Sequence, residues 1–335
     1  AVGIVIQKDL LSLMSRPYAR QIFDRKVVSD IVTEARSFIS ERNIFSVSDE
    51  IAEELKAPKI AYFLLTDQKG CFQGIFSSKD MLIYLSDQTK RDISMAQQLQ
   101  KRIVKERDYF DSNNFEISAS ANPAKGVGGD FYAVKNYNNT NWIITLCDVS
   151  GKGVAASIIT SVIWGMMSIF DFNKGLKRFI VELNNYLVNT FGTEKFVTAL
   201  FIDFNETTGH VRLCDLGHSY LYTFRDNTLI KLKTNSNNMP LGILPDITPE
   251  FCQFTMNKDD ILFLLTDGLL EQVNTDRRTY SLSRVEIVLR ENHEKRLNDV
   301  RDTLLEDFHQ FRSLAHLQDD ITFLFLRYYG ERNIR

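Results

Sequence analysis

The chain has 335 residues, which exceeds one ordinary core and suits two domains. Hydrophobic residues make up 44% and charged residues 25%, the balance of a folded globular protein, and the net charge of −3 excludes an electrostatic role on nucleic acid or an acidic membrane. No apolar run reaches the roughly 20 residues that span a bilayer. The opening AVGIVIQKDLL is too short and too soon polar for a signal peptide. It begins with Ala rather than Met, so an upstream segment stays open. Cys71, Cys147, Cys214 and Cys252 lie far apart without a CxxC pair, against zinc ribbons and redox motifs. Apolar neighbours of Cys147 and Cys214 predict buried free thiols in a reducing, cytoplasmic compartment.

Residues 1–90 read as a small α/β unit. GIVIQKDLLSL (3–13) and GIFSSKDMLIYL (74–85) share a Gly, a β-type run, Lys-Asp and an apolar helical start, a repeat with a period of about 70 residues. KIAYFLLTDQKGC (59–71) reads as a strand with a turn at Asp67–Gly70. Val27–Ile39 and Ser48–Leu55 have helical spacing, with Ser48 as N-cap. The unit resembles paired CBS-type sensory modules. That resemblance implies a regulatory domain with an adenine nucleotide as ligand; a generic α/β domain is the alternative. Residues 91–110 read as a connector helix capped by Asp92. Its narrow stripe, Ile93, Ala96, Leu99, Ile103 and Phe110, approaches a coiled-coil seam, so a homodimer through the connector is one expectation and simple packing on a neighbour the other.

Residues 111–335 form the second unit. Glu116–Ala121 reads as a strand, followed by the glycine-rich PAKGVGGDFYAV, whose backbone N–H groups can approach an anion. Asn138-Asn139 signals a hairpin turn, so Asp130 and Asp148 are expected on neighbouring strands. The apolar run Trp142–Leu146 reads as a buried strand ending at Asp148, and Gly151 and Gly153 turn the chain into a buried helix over 154–170. A carboxylate there suits a metal or phosphate site; a turn-forming Asp capping the next helix is the alternative. A second helix around Leu176–Leu187 leads to antiparallel strands over 196–232 and a fixed flap over 233–250. DDILFLLTDG is another buried strand, ending at Asp267. Helices are expected near 281–291 and 297–313, and Asp319-Asp320 precede a last strand, Ile321–Tyr328.

Asp130, Asp148, Asp267 and the pair Asp319-Asp320 thus share one setting, a strand end beside Gly or another Asp. One such Asp is usually a turn residue. Several in one domain repel unless a cation neutralises them. Oxygen donors with little His or Cys nearby suit Mg2+ or Mn2+ rather than zinc. Two such ions can activate a water and polarise a phosphoryl oxygen. Phosphoryl chemistry follows if the fold brings these residues together.

The ordered motifs VGGDFY, DVSGKGVAAS, FVTALF, LGH, PLGI, TDGLLE and DDIT, with AQQLQKRI ahead of them, closely resemble the stage II sporulation protein E family of serine phosphatases, within the metal-dependent PPM (type 2C-like) class. The resemblance implies an α+β fold: an αββα sandwich of two antiparallel sheets flanked by helix pairs, with two Mn2+ or Mg2+ ions between the sheets. It implies a phosphoserine or phosphothreonine protein as substrate, of the anti-sigma-factor antagonist type. Carried over by motif, Asp130 holds a metal through water, Asp148 bridges both ions, Val149 offers its carbonyl, and Asp267 and Asp319 complete the other site. Asp320 orients the site. Asp148 and Asp130 are the implied catalytic residues. The implied chemistry is direct in-line attack on phosphorus, which needs no nucleophilic Ser or Cys and leaves Ser150 as a turn residue. This sequence departs from the family pattern at Ala133, where a second acid is common, and at Asp215 and Tyr220 around His218. His218 reads more readily as structural than as a phosphate contact. Lys125 and Lys152 are the loop lysines open to a phosphate. Two other functions stay open: a nucleotide cyclase, since GGDFY echoes a GG[DE]EF hairpin but has Phe131 where a second acid belongs, and a non-catalytic ligand-sensing scaffold.

Overall fold

The computed structural model describes residues 3–19, 21, 27–234 and 237–330. The chain divides into two compact units between Asp92 and Ile93. In the first, β1 (Gly3–Ile4) pairs antiparallel with β2 (Thr33–Glu34), and the helix Gln7–Met14 follows β1. A three-stranded sheet runs in the order β3 (Ser37–Ile39), β4 (Tyr62–Thr66), β5 (Phe72–Ser77). β3 and β4 are parallel, and two short helices, Ile44–Glu50 and Ala52–Lys56, make the crossover that parallel strands need. Asp67 Oδ1 accepts the Lys69 and Cys71 N–H groups, closing the expected turn between β4 and β5. Phe38, Val47, Ile51, Phe63 and Met81 form the core. The two repeat copies each fold as a strand followed by a helix: β1 with Gln7–Met14, and β5 with Ser78–Gln100.

Three local expectations are corrected. Val27–Ile39 is not helical beyond the 3-10 turn Val28–Asp30; it carries β2 and β3 instead. The cap of the next helix is Asn43, whose Oδ1 accepts the N–H groups of Phe45 and Ser46, while Ser48 sits inside the helix and donates to the Phe45 carbonyl. The helix expected over 91–110 begins at Ser78 and ends at Gln100, and Arg107–Asp111 is a strand, β6. Ser77 and Asp80 form the actual cap: Ser77 N–H donates to Asp80 Oδ2 at 2.9 Å and Asp80 N–H to Ser77 Oγ at 3.2 Å. No Gly or Pro interrupts residues 78–100, so Asp92 lies mid-helix.

The second unit stacks two antiparallel sheets. One runs β14 (Cys252–Thr255), β11 (His210–Leu216), β10 (Val197–Asn205), β9 (Asn141–Val149), β8 (Phe131–Asn136). The other runs β13 (Thr228–Lys231), β12 (Leu221–Arg225), β15 (Ile261–Leu265), β16 (Ile321–Tyr328), β7 (Phe115–Asn122), β6. The period-2 pattern of β15 and β16 explains the layering. Leu262, Leu264, Leu324 and Leu326 join the core shared with β9, β10 and the helices Val154–Ile169 and Leu176–Phe191. Ile261, Phe263, Phe323 and Phe325 point the other way, into a core with the helices Leu282–Asn292 and Leu297–Arg312. The layers are therefore a helix pair, two sheets and a second helix pair, a mixed α+β architecture. Among the described residues no helix is long and apolar enough to cross a membrane. Cys147 and Cys214 are buried free thiols, as their neighbours predict, and burial pushes both up to about 12.

On the outer face of β7, Glu116 is fully buried. Its Oε1 accepts from Arg327 Nη1 at 2.8 Å, and its Oε2 from the Leu297 N–H and the Tyr109 hydroxyl. Arg327 also donates to the carbonyls of Lys295 and His293. This pair ties neighbouring strands β7 and β16 to the start of the helix Leu297–Arg312.

Candidate functional site

Strand ends from both sheets build the site. β9 is buried from Ile143 to Cys147 and emerges at Asp148, level with Thr198 of β10. The turn after it is fixed from several sides. Ser150 N–H donates to the Phe196 carbonyl, Phe196 N–H donates to Ser150 Oγ, and Gly151 and Gly153 take φ of +91° and +81°. Ser150 is thus a turn residue. From the other sheet, fully buried β15 delivers Thr266 and then Asp267, which opens the short helix Asp267–Glu271. Its neighbour β16 is preceded by Asp319 and Asp320. Asp148, Val149, Asp267 and Asp319 line one cavity of about 370 Å³, together with Lys152 and His218.

The other two predicted acids line a neighbouring cavity, close enough for Asp148 and Asp130 to feel each other's charge. Asp130 and Asp320 line a second cavity of about 250 Å³, walled by Val104, Leu305 and Phe308. Asp130 is 7% exposed and accepts a hydrogen bond from the Thr266 hydroxyl at 2.7 Å. Asp320 has both carboxylate oxygens on backbone N–H groups: Oδ1 on Ala124 and Oδ2 on Gly129, each at 2.7 Å. The anion that the glycine-rich loop approaches is therefore a side chain of the protein itself. A Cβ on Gly128 would stand 2.6 Å from Asp320 Oδ2, and one on Gly129 2.9 Å from the Val149 carbonyl oxygen, so both positions require glycine. The same loop is held from the connector helix, where buried Gln100 accepts the Gly128 N–H and donates to its carbonyl.

Charge is concentrated here. Burial, then the charges of Asp267, Asp319 and Asp320, push the Asp148 carboxyl up to about 7, and Lys152 opposes the shift. Burial and the neighbouring Asp148 and Asp320 hold Asp130 well above the usual carboxylate range. Asp267 is raised by burial, Glu271 and Asp319; Asp320 is raised by burial although its backbone donors pull the other way. Among the described residues no group of three or more His, Cys, Asp or Glu forms a ready-made metal cage. Mg2+, however, keeps several waters and needs only one or two direct carboxylates. Oxygen donors that repel one another, with a backbone carbonyl beside them, fit a hard cation.

Sequence reasoning passed over Thr266, although it stands in the TDG motif, and Gln100, which nothing distinguishes from its polar neighbours before the helix is folded. His218 is structural. Its Nδ1 pairs with Thr198 Oγ1 at 3.1 Å and its Nε2 with the Leu265 carbonyl at 2.8 Å, joining β10 to β15. Burial holds its pKa below the usual range. Asp215, where the family pattern has Asn, accepts the N–H groups of His218 and Ser219 and keeps the turn. Lys125 is exposed and does not line the cavity. Gly268 packs so closely that a Cβ would overlap the Asp320 carbonyl oxygen. Gly268→Ala is expected to cost about 1–3 kcal/mol, because backbone must move. A urea midpoint lowered together with activity checks this.

The family model for stage II sporulation protein E matches residues 138–329. The SiaA-PP2C domain of Pseudomonas aeruginosa superposes with a TM-score of 0.60 at 16% identity, over 72% of this chain and 98% of that one. RsbX, solved in complex with magnesium, gives a TM-score of 0.51 at 14% identity, over 66% of this chain and 99% of its own. Protein IcfG of Synechocystis is 21% identical over 241 residues, 64% of this chain; the chain spans only 37% of that curated relative's length. With a match across more than half its length and a two-sheet sandwich around clustered aspartates, the chain belongs to the stage II sporulation protein E family, and its second unit has the fold of the SiaA-PP2C domain.

Proposed function

We propose that this chain is a divalent-metal-dependent phosphatase that removes phosphate from serine or threonine of a signalling phosphoprotein. The observation that carries the reading is the meeting of Asp148, Asp267 and Asp319, from strand ends of two sheets, in one open cavity. Asp148 with the Val149 carbonyl would hold both ions, Asp267 and Asp319 would complete one site, and Asp130 would act on the other through water. Asp320 is proposed to orient the site, since both its oxygens hold the 124–129 loop. Bound there, Mn2+ or Mg2+ would neutralise the repelling carboxylates and polarise a phosphoryl oxygen. The chain's own contribution is to fix these oxygens. β9 and β15 seat Asp148 and Asp267, the Thr266 hydroxyl orients Asp130, and the His218 bridge holds β10 against β15.

The finer reading is a cytoplasmic signalling enzyme acting on an anti-sigma-factor antagonist. Residues 1–90 would be a CBS-like sensory unit with a nucleotide as its ligand. The repeated strand-then-helix unit supports this. Met95 and Leu99, both more than half exposed on the connector helix, offer a homodimer contact. Assays with p-nitrophenyl phosphate and a phosphoserine peptide test the activity. Turnover is expected with Mn2+ and lost in chelator. Absence of turnover together with absence of Mn2+ binding at millimolar metal would overturn the proposal.

A further inference from the structure

The acidic cavity already contains a cation of its own. Lys152 Nζ lies 2.6 Å from Asp319 Oδ2 and donates to the Gln318 carbonyl at 2.7 Å. Among the described residues that line the cavity, Lys152 is the one Lys or Arg side chain, and it faces three carboxylates. The lysine sits there because its loop is fixed. Ser150 is pinned to Phe196, Lys195 donates to the Ser150 carbonyl, and Gly151 and Gly153 adopt left-handed φ. Yet both partners of the ion pair are about one-third exposed, at 34% and 36%, so the ammonium can leave for water at modest cost.

We infer that Lys152 is a tethered counter-ion: it occupies Asp319 while the cavity is free of metal, and a divalent cation must displace it to take that carboxylate. This rests on the metal-dependent reading above and goes beyond it, because it makes a loop lysine set the metal concentration at which the site loads. An ammonium in contact with a carboxylate oxygen and a metal ion on that same oxygen exclude one another by charge and by volume. The lysine would lower apparent metal affinity by the strength of its own partly exposed pair, about five-fold. A lysine that merely pinned the loop would do the opposite, since its loss would slacken the site and weaken metal binding.

The test is calorimetric titration of Mn2+ into the full chain after chelator treatment, comparing wild type, Lys152→Gln, Asp319→Asn and the double variant. Melting in chelator confirms that each is folded. Lys152→Gln is expected to bind Mn2+ about five-fold more tightly, and the same change in the Asp319→Asn background is expected to do nothing further. Lys152→Arg, which keeps the charge, is expected to stay near wild type. Unchanged or weaker binding in folded Lys152→Gln would overturn the inference. So would tightening that persists without Asp319, since the lysine would then act only through the general field. A flat wild-type isotherm would overturn the metal-dependent reading itself; normal wild-type binding that ignores Lys152 would overturn this inference alone.

Discussion

Asp148→Asn is expected to abolish Mn2+-dependent turnover, with a fall of more than about 100-fold, the upper end of what losing even an outer-shell partner of a metal costs. Asn keeps the shape of the side chain and its place beside Thr198, but not the charge. The same change is expected to stabilise the protein in chelator. In the metal-free cavity Asp148 is buried beside Asp267 and Asp319, and its carboxyl is pushed up to about 7. A carboxyl raised on folding is easier to accommodate protonated, so the folded state binds more protons than the unfolded one and stability falls as pH rises. The penalty is absent below the ordinary carboxylate range and complete above about 7. The stability gain of Asp148→Asn should therefore be small at pH 4 and largest at pH 8, and should vanish or reverse with Mn2+. Thermal melts at both pH values, with chelator and with Mn2+, check the sign. A variant that melts below wild type in chelator at pH 8 would refute the repulsion argument.

Arg327→Leu is expected to cost about 3–5 kcal/mol, because it strips the partner from a buried charge. Glu116 is 0% exposed and Arg327 5%, and they face each other across β7 and β16. Without the guanidinium, the carboxylate keeps only the Leu297 N–H and the Tyr109 hydroxyl, and the carbonyls of His293 and Lys295 lose their donor. The urea midpoint should fall with little change in slope. Adding Glu116→Gln should restore part of the loss, since an uncharged amide is far cheaper to bury than an unpaired carboxylate. Equal destabilisation in single and double variants would show that packing, not charge, dominates this contact.

The two-sheet half of the fold was legible because its strands are buried and end abruptly. Trp142–Leu146 and Ile261–Leu265 are apolar runs closed by Asp and Gly, and their length and punctuation separate them from helices. The strand ends carrying Asp148, Asp267 and Asp319 could be named from sequence; that they share one cavity while Asp130 and Asp320 line another could not. A carboxylate that accepts backbone N–H groups 191 and 196 residues away, as Asp320 does, leaves no local pattern. The first unit was harder. Asp92 has the chemistry of a cap but lies mid-helix, because the Ser77–Asp80 cap had already started the turn. At the start of the second unit, residues 107–110, RDYF, read as a helical continuation. Their strand pairing with β7 and the tilted ring contacts of Phe110 with Phe115 and Trp142 are tertiary and override local spacing.

The His218 bridge and the Asp320 grip place the acidic cavity on the seam where the two sheets meet. A ligand bound on a seam does thermodynamic work on the layers that form it. Each tenfold excess of free metal over its dissociation constant adds about 1.4 kcal/mol against separation of the sheets. Falling metal would then do more than silence the site: it would withdraw part of the cohesion of the sandwich, so that supply of the ion governs how long the molecule lasts as well as how fast it works.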